Sequence, residues 1–275
     1  MSSFKSSCAS RIFGKFASKK FPTPLQNIIN KTYVKLMKVD LSECLSADKY
    51  ESLNELFTRD LQHKREFSPK QNGFISQCDA YVSECGDIKE EKALQIKGFS
   101  YRVRELLGNF ILKDKKDRLI DGKYINFYLS PKDYHRYHVP IDMCVKKAVH
   151  IPGKLYPVNF TWLQKVPELF IENERVVLEC YTKENRLFYM VFVGALNVGK
   201  MQFIFDHNIQ TNAKSSLEQP YMYNNLWLQK GDELGRFEMG STIVMFFEKD
   251  MVELIGKREN SIRFGDVIAN LHVEI

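Results

Sequence analysis

The sequence lacks several features that would place it in familiar classes. Its longest strongly apolar stretch, Tyr189–Leu196, is interrupted by Gly194 and falls far short of the ~18–20 apolar residues a membrane-spanning helix requires. Fourteen glycines and nine prolines in 275 residues are too few for collagen-like or low-complexity sequence. The six cysteines (Cys8, Cys44, Cys78, Cys85, Cys144 and Cys180) form no Cys-x-x-Cys pair and no zinc-ribbon spacing. They are too sparse for a disulfide scaffold, so reduced thiols in a cytosolic compartment are expected. Nothing near the N-terminus makes the continuous apolar region of a secretory signal, and there is no internal repeat. What is present is a 44% hydrophobic chain that can bury a sizeable core as one large domain or two small ones.

Acidic residues are missing from one segment altogether. Residues 1–39 carry Lys5, Arg11, Lys15, Lys19, Lys20, Lys31, Lys35 and Lys38 and no acid, so this arm is +8; the whole chain is +6, which leaves −2 on the rest. Leu25, Ile28, Ile29, Leu36 and Met37 recur in the arm at helical spacing together with Tyr33, and Ile12, Phe13 and Phe16 make a shorter stripe before Pro22 and Pro24. A cationic amphipathic helix of this kind can lie in a membrane interface, with its lysines among anionic head groups. The same pattern also fits an ordinary helix packed on a core, or an organellar transit peptide. The body has no comparable basic stripe, which argues against a nucleic-acid partner.

Further along, the spacing predicts helices over Leu25–Lys38 and Ser46–Leu61, the second capped by Ser46 although Lys49 stands where a capping box has Glu. From about residue 73 short β-rich runs take over, at Phe74–Ser76, Tyr124–Leu129, Arg175–Cys180, Leu187–Val193, Met201–Phe205 and Ile243–Phe247. Turn clusters at Asp121-Gly122, Lys183–Asn185 and Lys230-Gly231 separate some of them. The expectation is an α+β fold: a β-rich, sandwich-like or barrel-like body carrying N-terminal amphipathic helices.

Three places could carry chemistry. In Asp133-Tyr134-His135-Arg136-Tyr137-His138 two histidines stand three apart beside an acid and an arginine; on a helical turn they would share a face. They could serve as a general acid/base pair, as part of a metal site that lacks an obvious third ligand, or simply as locally bonded residues. Gly240-Ser241-Thr242 leads into Ile243–Phe247; it reads as a glycine hinge before a buried strand or as a reactive bond. Glycine tolerates strain and leaves its carbonyl open to the next hydroxyl. If a base takes the Ser241 proton, Oγ attacks the Gly240 carbonyl and the amide becomes an ester. β-Elimination then leaves a dehydroalanine, which tautomerises and hydrolyses to a pyruvoyl group with loss of ammonia. Asp79, after Ile75-Ser76-Gln77-Cys78, is either a solvated turn residue or the orienting partner of a base histidine.

Order and surroundings connect these places. The relevant blocks are Leu56-Phe57-Thr58-Arg59-Asp60-Leu61; Ile96-Lys97-Gly98-Phe99-Ser100-Tyr101 with Leu106-Leu107-Gly108; and Leu129-Ser130-Pro131 through His138 and Pro140. Ile151-Pro152-Gly153-Lys154-Leu155-Tyr156-Pro157-Val158-Asn159 and Val193-Gly194-Ala195-Leu196-Asn197-Val198-Gly199 follow, then Lys230-Gly231 with Glu233, Gly235, Phe237 and Met239-Gly240-Ser241-Thr242. In this order they resemble the phosphatidylserine decarboxylase proenzymes, a pyruvoyl-dependent family, over most of the chain.

The resemblance implies self-cleavage at Gly240–Ser241 into a large subunit of residues 1–240 and a small one of residues 241–275. It implies an Asp79–His138–Ser241 processing triad, His135 in the active site, and a covalent pyruvoyl cofactor made from Ser241, with no metal. The implied reaction is decarboxylation of phosphatidylserine to phosphatidylethanolamine and CO2 through a Schiff base. His135 is the candidate proton donor, and His138 the second candidate. The family commonly has glycine after the aspartate; here Ala80 follows Asp79, which is tolerated if φ is negative there. Residues 1–62 are then a helical membrane-docking region and 63–275 the catalytic domain. The protein would be peripheral, on the cytoplasmic face of a bacterial cell membrane, with phosphatidylserine in an anionic surface as its partner, and a homodimer of processed heterodimers. Two rivals are a pyruvoyl decarboxylase of a soluble amino acid and a non-catalytic lipid-binding β-protein. The first has no reason for the basic arm and does not match the blocks; the second would keep the scaffold and remain one intact polypeptide, where the enzyme would show two.

Overall fold

The computed structural model describes residues 14–70, 72–196, 200–209, 211, 217–238 and 241–272. The Ile12–Phe13 part of the shorter N-terminal stripe, Cys8, Asn197–Gly199 and Gly240 lie outside the described residues.

The helical segment comes first. Helix α1 spans Thr23–Met37 with Pro24 in its first turn, and ends at Lys38, whose φ of 56° breaks the helical path. Two polar residues, Gln26 and Asn30, are its buried ones. The expected second helix over residues 46–61 is not continuous. A 3-10 turn at Ala47–Lys49 is followed by extended Tyr50, and α2 covers only Leu53–Phe57. The reason lies in α1: Asn30 Nδ2 donates to the carbonyls of Ala47 and Tyr50, both at 2.9 Å, which a continuous helix would spend on its own ladder. The cap is Ser52 instead of Ser46; its Oγ accepts from Glu55 N at 3.1 Å, and Glu55 accepts in turn from Glu51 N at 2.6 Å, close to a capping box.

The body is built on an eight-stranded antiparallel sheet in the order β11-β7-β8-β9-β13-β5-β2-β15. Its strands are β2 (Ala80–Asp87), β5 (Lys123–Leu129), β7 (Met143–Ile151), β8 (Arg175–Thr182), β9 (Leu187–Val193), β11 (Gln219–Leu228), β13 (Ser241–Phe247) and β15 (Asn260–Ile262). Two three-stranded sheets accompany it: β1 (Gly73–Ile75), β16 (Val267–Leu271) and β14 (Val252–Leu254) in one, and β10 (Met201–Phe203), β12 (Glu233–Phe237) and β6 (Arg136–His138) in the other. A hairpin, β3 (Lys92–Ile96) with β4 (Phe99–Arg102), completes the strands among the described residues.

Burial on both faces explains why the central strands read as unbroken apolar runs rather than as alternating ones. In β13, Ile243, Met245 and Phe247 face a core shared with the two small sheets. Val244 and Phe246 face a second core, with Val103, Leu106, Leu163 and Phe170 from short helices. The large sheet stays open between its edge strands β11 and β15. The architecture is therefore the expected layered α+β body, in its sandwich form and not as a closed barrel.

A third, smaller cluster ties the helices together through Ala17, Tyr50, Leu53 and Leu56, with Ile29, Tyr33 and Val34 against it. The helical segment also grips the body. Tyr33 Oη donates to Pro131 O at 3.0 Å, and Arg136 Nε to Thr58 O at 3.1 Å.

Candidate active site

Ser241 is the first residue of β13, the strand hydrogen-bonded to β5 on one side and β9 on the other, and it sits opposite Leu129 at the end of β5. From Leu129 the chain runs directly into the segment that holds both histidines. On the other side, Phe237 N at the end of β12 donates to His135 O at 3.0 Å. The ends of β5 and β12 thus bring Ser241 and residues 129–138 to one corner of the sandwich.

The two histidines do not share a helical face. His138 lies in β6, paired with Glu233 of β12, and His135 precedes the strand. Ladder bonds to β12 prevail over the helical turn allowed by the spacing, and they give the two rings different surroundings. His138 packs flat on Phe264, with centroids 3.7 Å apart and an angle of 13°. Its Nδ1 lies 3.1 Å from Gly231 O and its Nε2 3.1 Å from Tyr134 Oη. A carbonyl only accepts, so Nδ1 carries the proton and Nε2 accepts from the tyrosine. Gly231 makes this contact possible: its φ is +85°, and a Cβ there would meet the Phe67 ring at 2.2 Å.

His135 is fully buried, its ring 3.9 Å from that of Phe57. Its Nδ1 bonds Asp133 O at 2.8 Å, so this nitrogen too carries the proton, and Nε2 has no partner among the described residues. Burial pushes the pKa of His135 down to about 3 and that of His138 to about 4. Both rings are therefore neutral near pH 7, each with its unprotonated nitrogen at Nε2.

Asp79 is near but engaged elsewhere. One carboxylate oxygen accepts from Arg65 Nη2 at 2.9 Å, the other from Phe264 N at 2.7 Å and from Arg65 Nη1. It is not bonded to His138; its connection to that ring runs through Phe264, whose backbone it holds. Ala80 is the first residue of β2 and is not among the residues with positive φ, so alanine is unstrained where the family commonly has glycine.

Ser241 is wholly buried, and its Oγ, like the neighbouring Thr242 Oγ1, has no hydrogen-bond partner among the described residues. A buried hydroxyl without a partner costs about 1–3 kcal/mol, so two in succession mark a place where the fold is not optimised for stability. A pyruvoyl group fits this donor set: a serine hydroxyl with no competing bond among the described residues, at a strand end, with neutral imidazoles in the adjoining segment. Among the described residues no group of three or more His, Cys, Asp or Glu is placed to hold a metal ion.

Sequence reasoning gave no role to Arg59 or Tyr134, which it met only as members of motifs, and did not reach Phe264. Arg59 is 4% exposed, and its Nη2 donates to Lys132 O at 2.8 Å and Asp133 O at 3.1 Å. An arginine two residues after the apolar Leu56-Phe57 pair was the available signal. Phe264 lies far along the chain from the histidines, with no local pattern to mark it.

Known proteins are similar to this chain along most of its length. Residues 53–270 match the family model for phosphatidylserine decarboxylase. The chain is 46% identical over 268 residues to the phosphatidylserine decarboxylase proenzyme of Helicobacter pylori (strain Shi470), covering 97% of this chain and 98% of that one. It is 47% identical over 266 residues to the corresponding proenzyme of Campylobacter jejuni, with 95% and 98% covered. With that of Pseudoalteromonas translucida the identity is 37% over 271 residues, covering 95% and 93%. The chain belongs to the phosphatidylserine decarboxylase family, carboxy-lyases that are made as proenzymes.

Proposed function

We propose that the chain cuts itself between Gly240 and Ser241, and that Ser241 becomes the pyruvoyl group on which phosphatidylserine is converted to phosphatidylethanolamine and CO2. The observation that carries this reading is the Ser241 hydroxyl, fully buried and without a partner among the described residues at the head of the central strand. The pyruvoyl ketone supplies an electron sink, so that CO2 leaves without a localised carbanion.

The remaining work falls to side chains. His138 takes the Ser241 proton at Nε2 during cleavage, after the Tyr134 hydroxyl has released that nitrogen. The Gly231 carbonyl keeps the proton on Nδ1, and Phe264, held by Asp79, keeps the ring in place. The aspartate thus orients the base at one remove. During turnover His135 acts first as a base, because a neutral imidazole can give a proton only after gaining one. Its Nε2 accepts a proton from the substrate ammonium, with the bound substrate carboxylate offsetting the burial that holds the ring low, and returns it to the α-carbon that CO2 has left; the released amine takes from water the proton that decarboxylation consumes, so the ring ends each cycle as it began.

Membrane docking is peripheral and uses the outer side of α1. No helix among the described residues is long and apolar enough to cross a membrane. Leu25, Ile28 and Leu36 are 46%, 63% and 71% exposed, and at 100° per residue they form one outward stripe flanked by Lys31 and Lys35. Such a face suits the anionic cytoplasmic leaflet, while Tyr33 on the inner side bonds the loop that leads to the histidines. Replacing the three apolar residues by serine is expected to reduce flotation with phosphatidylserine-containing liposomes at least tenfold; unchanged flotation would assign docking to another surface.

Intact-mass spectrometry tests the central claim. Wild-type protein should give two fragments, with a blocked pyruvoyl terminus on the one that begins at position 241. Ser241→Ala should stay a single inactive chain. An active, unbroken wild-type chain would refute the reading.

A further inference from the structure

Beside the histidine corner lies a cavity of about 800 Å³ whose wall includes Tyr50, Thr58, Arg59, Arg136 and Arg236. Its arginines are not equivalent. Arg136 is neutralised by Glu233 at 2.7 Å and Asp60 at 3.2 Å. Arg236 Nε donates to the uncharged Gln202 carboxamide at 3.0 Å. Arg59 forms no ion pair among the described residues; its Nε and Nη1 are buried without hydrogen-bond partners there, and the weakly accepting Cys44 thiol is a neighbour. Tyr50 Oη, on the same wall, is also buried, with the Leu45 backbone as its neighbour and no acceptor for its proton among the described residues. A guanidinium withdrawn from water with two donor nitrogens unused is costly, and turning toward an anion in the cavity that Arg59 lines would remove that cost.

The location ties this guanidinium to the chemistry. Arg59 Nη2 and His135 Nδ1 donate to the same carbonyl oxygen, that of Asp133, at 3.1 and 2.8 Å. Arg236 stands on β12, the strand that leads into Ser241. Resting on the decarboxylase reading, we infer that Arg59, assisted by Tyr50, binds the phosphodiester of the phospholipid headgroup and so positions the seryl group at His135.

Phosphatidylserine offers two anions, and the reaction distinguishes them. The carboxylate must lose its charge as CO2 forms, so a guanidinium on it would stabilise the ground state and oppose the reaction. The phosphodiester is unchanged from substrate to product and is three bonds from the α-carbon, within reach of a group adjoining His135. A contact to it is equally strong in the ground and transition states, and its loss raises KM while leaving kcat in place.

The experiment uses full-length Arg59→Gln, Arg59→Lys and Tyr50→Phe with phosphatidylserine in mixed micelles, after intact-mass measurement of cleavage. Wild-type protein that fails to cleave or to release CO2 overturns the decarboxylase reading itself, independently of Arg59. With wild type active, Arg59→Gln should raise KM about ten- to a hundredfold, the range for a lost charge-assisted bond, with kcat within about threefold. Arg59→Lys should recover part of the loss. Inhibition by the product phosphatidylethanolamine should weaken by the same factor, since the product keeps the phosphate. Unchanged product affinity would assign Arg59 to the carboxylate and overturn the inference, as would a fall in kcat at constant KM. If the Arg59 variants do not fold, Tyr50→Phe decides: a severalfold rise in KM supports the inference, and an unchanged KM overturns it.

Discussion

Arg175 and Arg59 are equally withdrawn from solvent, at 4% exposure each, yet their surroundings treat them in opposite ways. Behind the large sheet, Arg175 directs all three guanidinium nitrogens at carbonyls: Leu106 O at 2.7 Å, Ile171 O at 2.6 Å, Asn173 O and Glu105 O at 3.1 Å. At the histidine corner Arg59 uses one nitrogen and leaves two without partners. The same contrast separates Asn126, bonded to Leu94 O at 2.7 Å within the sheet layers, from Ser241 and Thr242, which carry unpartnered hydroxyls. In these two pairs the group that serves the fold is satisfied and the one at the corner is left open, although Ser83 Oγ and Tyr189 Oη within the large sheet also go without partners among the described residues.

Replacing each arginine by methionine is the strongest way to break this contrast. Arg175→Met takes a hydrogen bond from four carbonyls, the Leu106 and Asn173 bonds being fully buried, and is expected to cost about 3–5 kcal/mol, lowering Tm by roughly 10 °C or more for a chain of this size. Arg59→Met frees only two carbonyls and should lower Tm by about 5 °C or less. Thermal unfolding monitored by circular dichroism checks this, and equal losses would erase the distinction.

The open corner should also show itself in acid. His135 and His138 are held at about 3 and about 4 by burial, below the ordinary 6.5. The unfolded chain therefore takes up protons on both residues as the pH falls below about 6.5, while the folded chain refuses them. Their contribution to stability is complete above that pH and is lost progressively as the pH drops through the folded values. His135→Gln should give a shallower decline of Tm between pH 6.5 and 4 than wild type; an identical slope would mean that the ring is not held neutral.

The smallest effect belongs to the one basic nitrogen in this corner that is already occupied. Tyr134→Phe removes the hydroxyl from His138 Nε2, and self-cleavage followed by gel time course should accelerate about fivefold, for a hydrogen bond worth about 1 kcal/mol. Slower cleavage would make Tyr134 a participant instead of a competitor.

Much of this organisation was legible beforehand. The runs at Leu187–Val193 and Ile243–Phe247 lie within β9 and β13 because burial on both faces leaves no polar interruptions to mislead. Strands such as β7, interrupted by Lys146-Lys147, and β11, rich in Asn, Tyr and Gln, carried no such signal. The break between residues 49 and 53 was invisible because it depends on Asn30, about twenty positions away. In the site, Ser241 and the histidines could be found through the order of the motifs. The link from Asp79 to His138 by way of Phe264, and the two nitrogens that Arg59 leaves unpartnered, arise only when distant segments meet. Apolar periodicity reports on what is buried, and says little about which buried group goes without a partner.

The position of β13 has a consequence for the life of the mature protein. Under the proposed cut, the short C-terminal piece begins as a strand clamped between β5 and β9, then contributes β15 against β2 and β16 against β1. The two polypeptides are interwoven, so they should migrate as one particle in gel filtration and separate only under denaturant. Renaturation would then be an encounter between separate molecules, slowing on dilution, whereas the uncut precursor carries its own central strand with it. Maturation thus makes folding a one-time event.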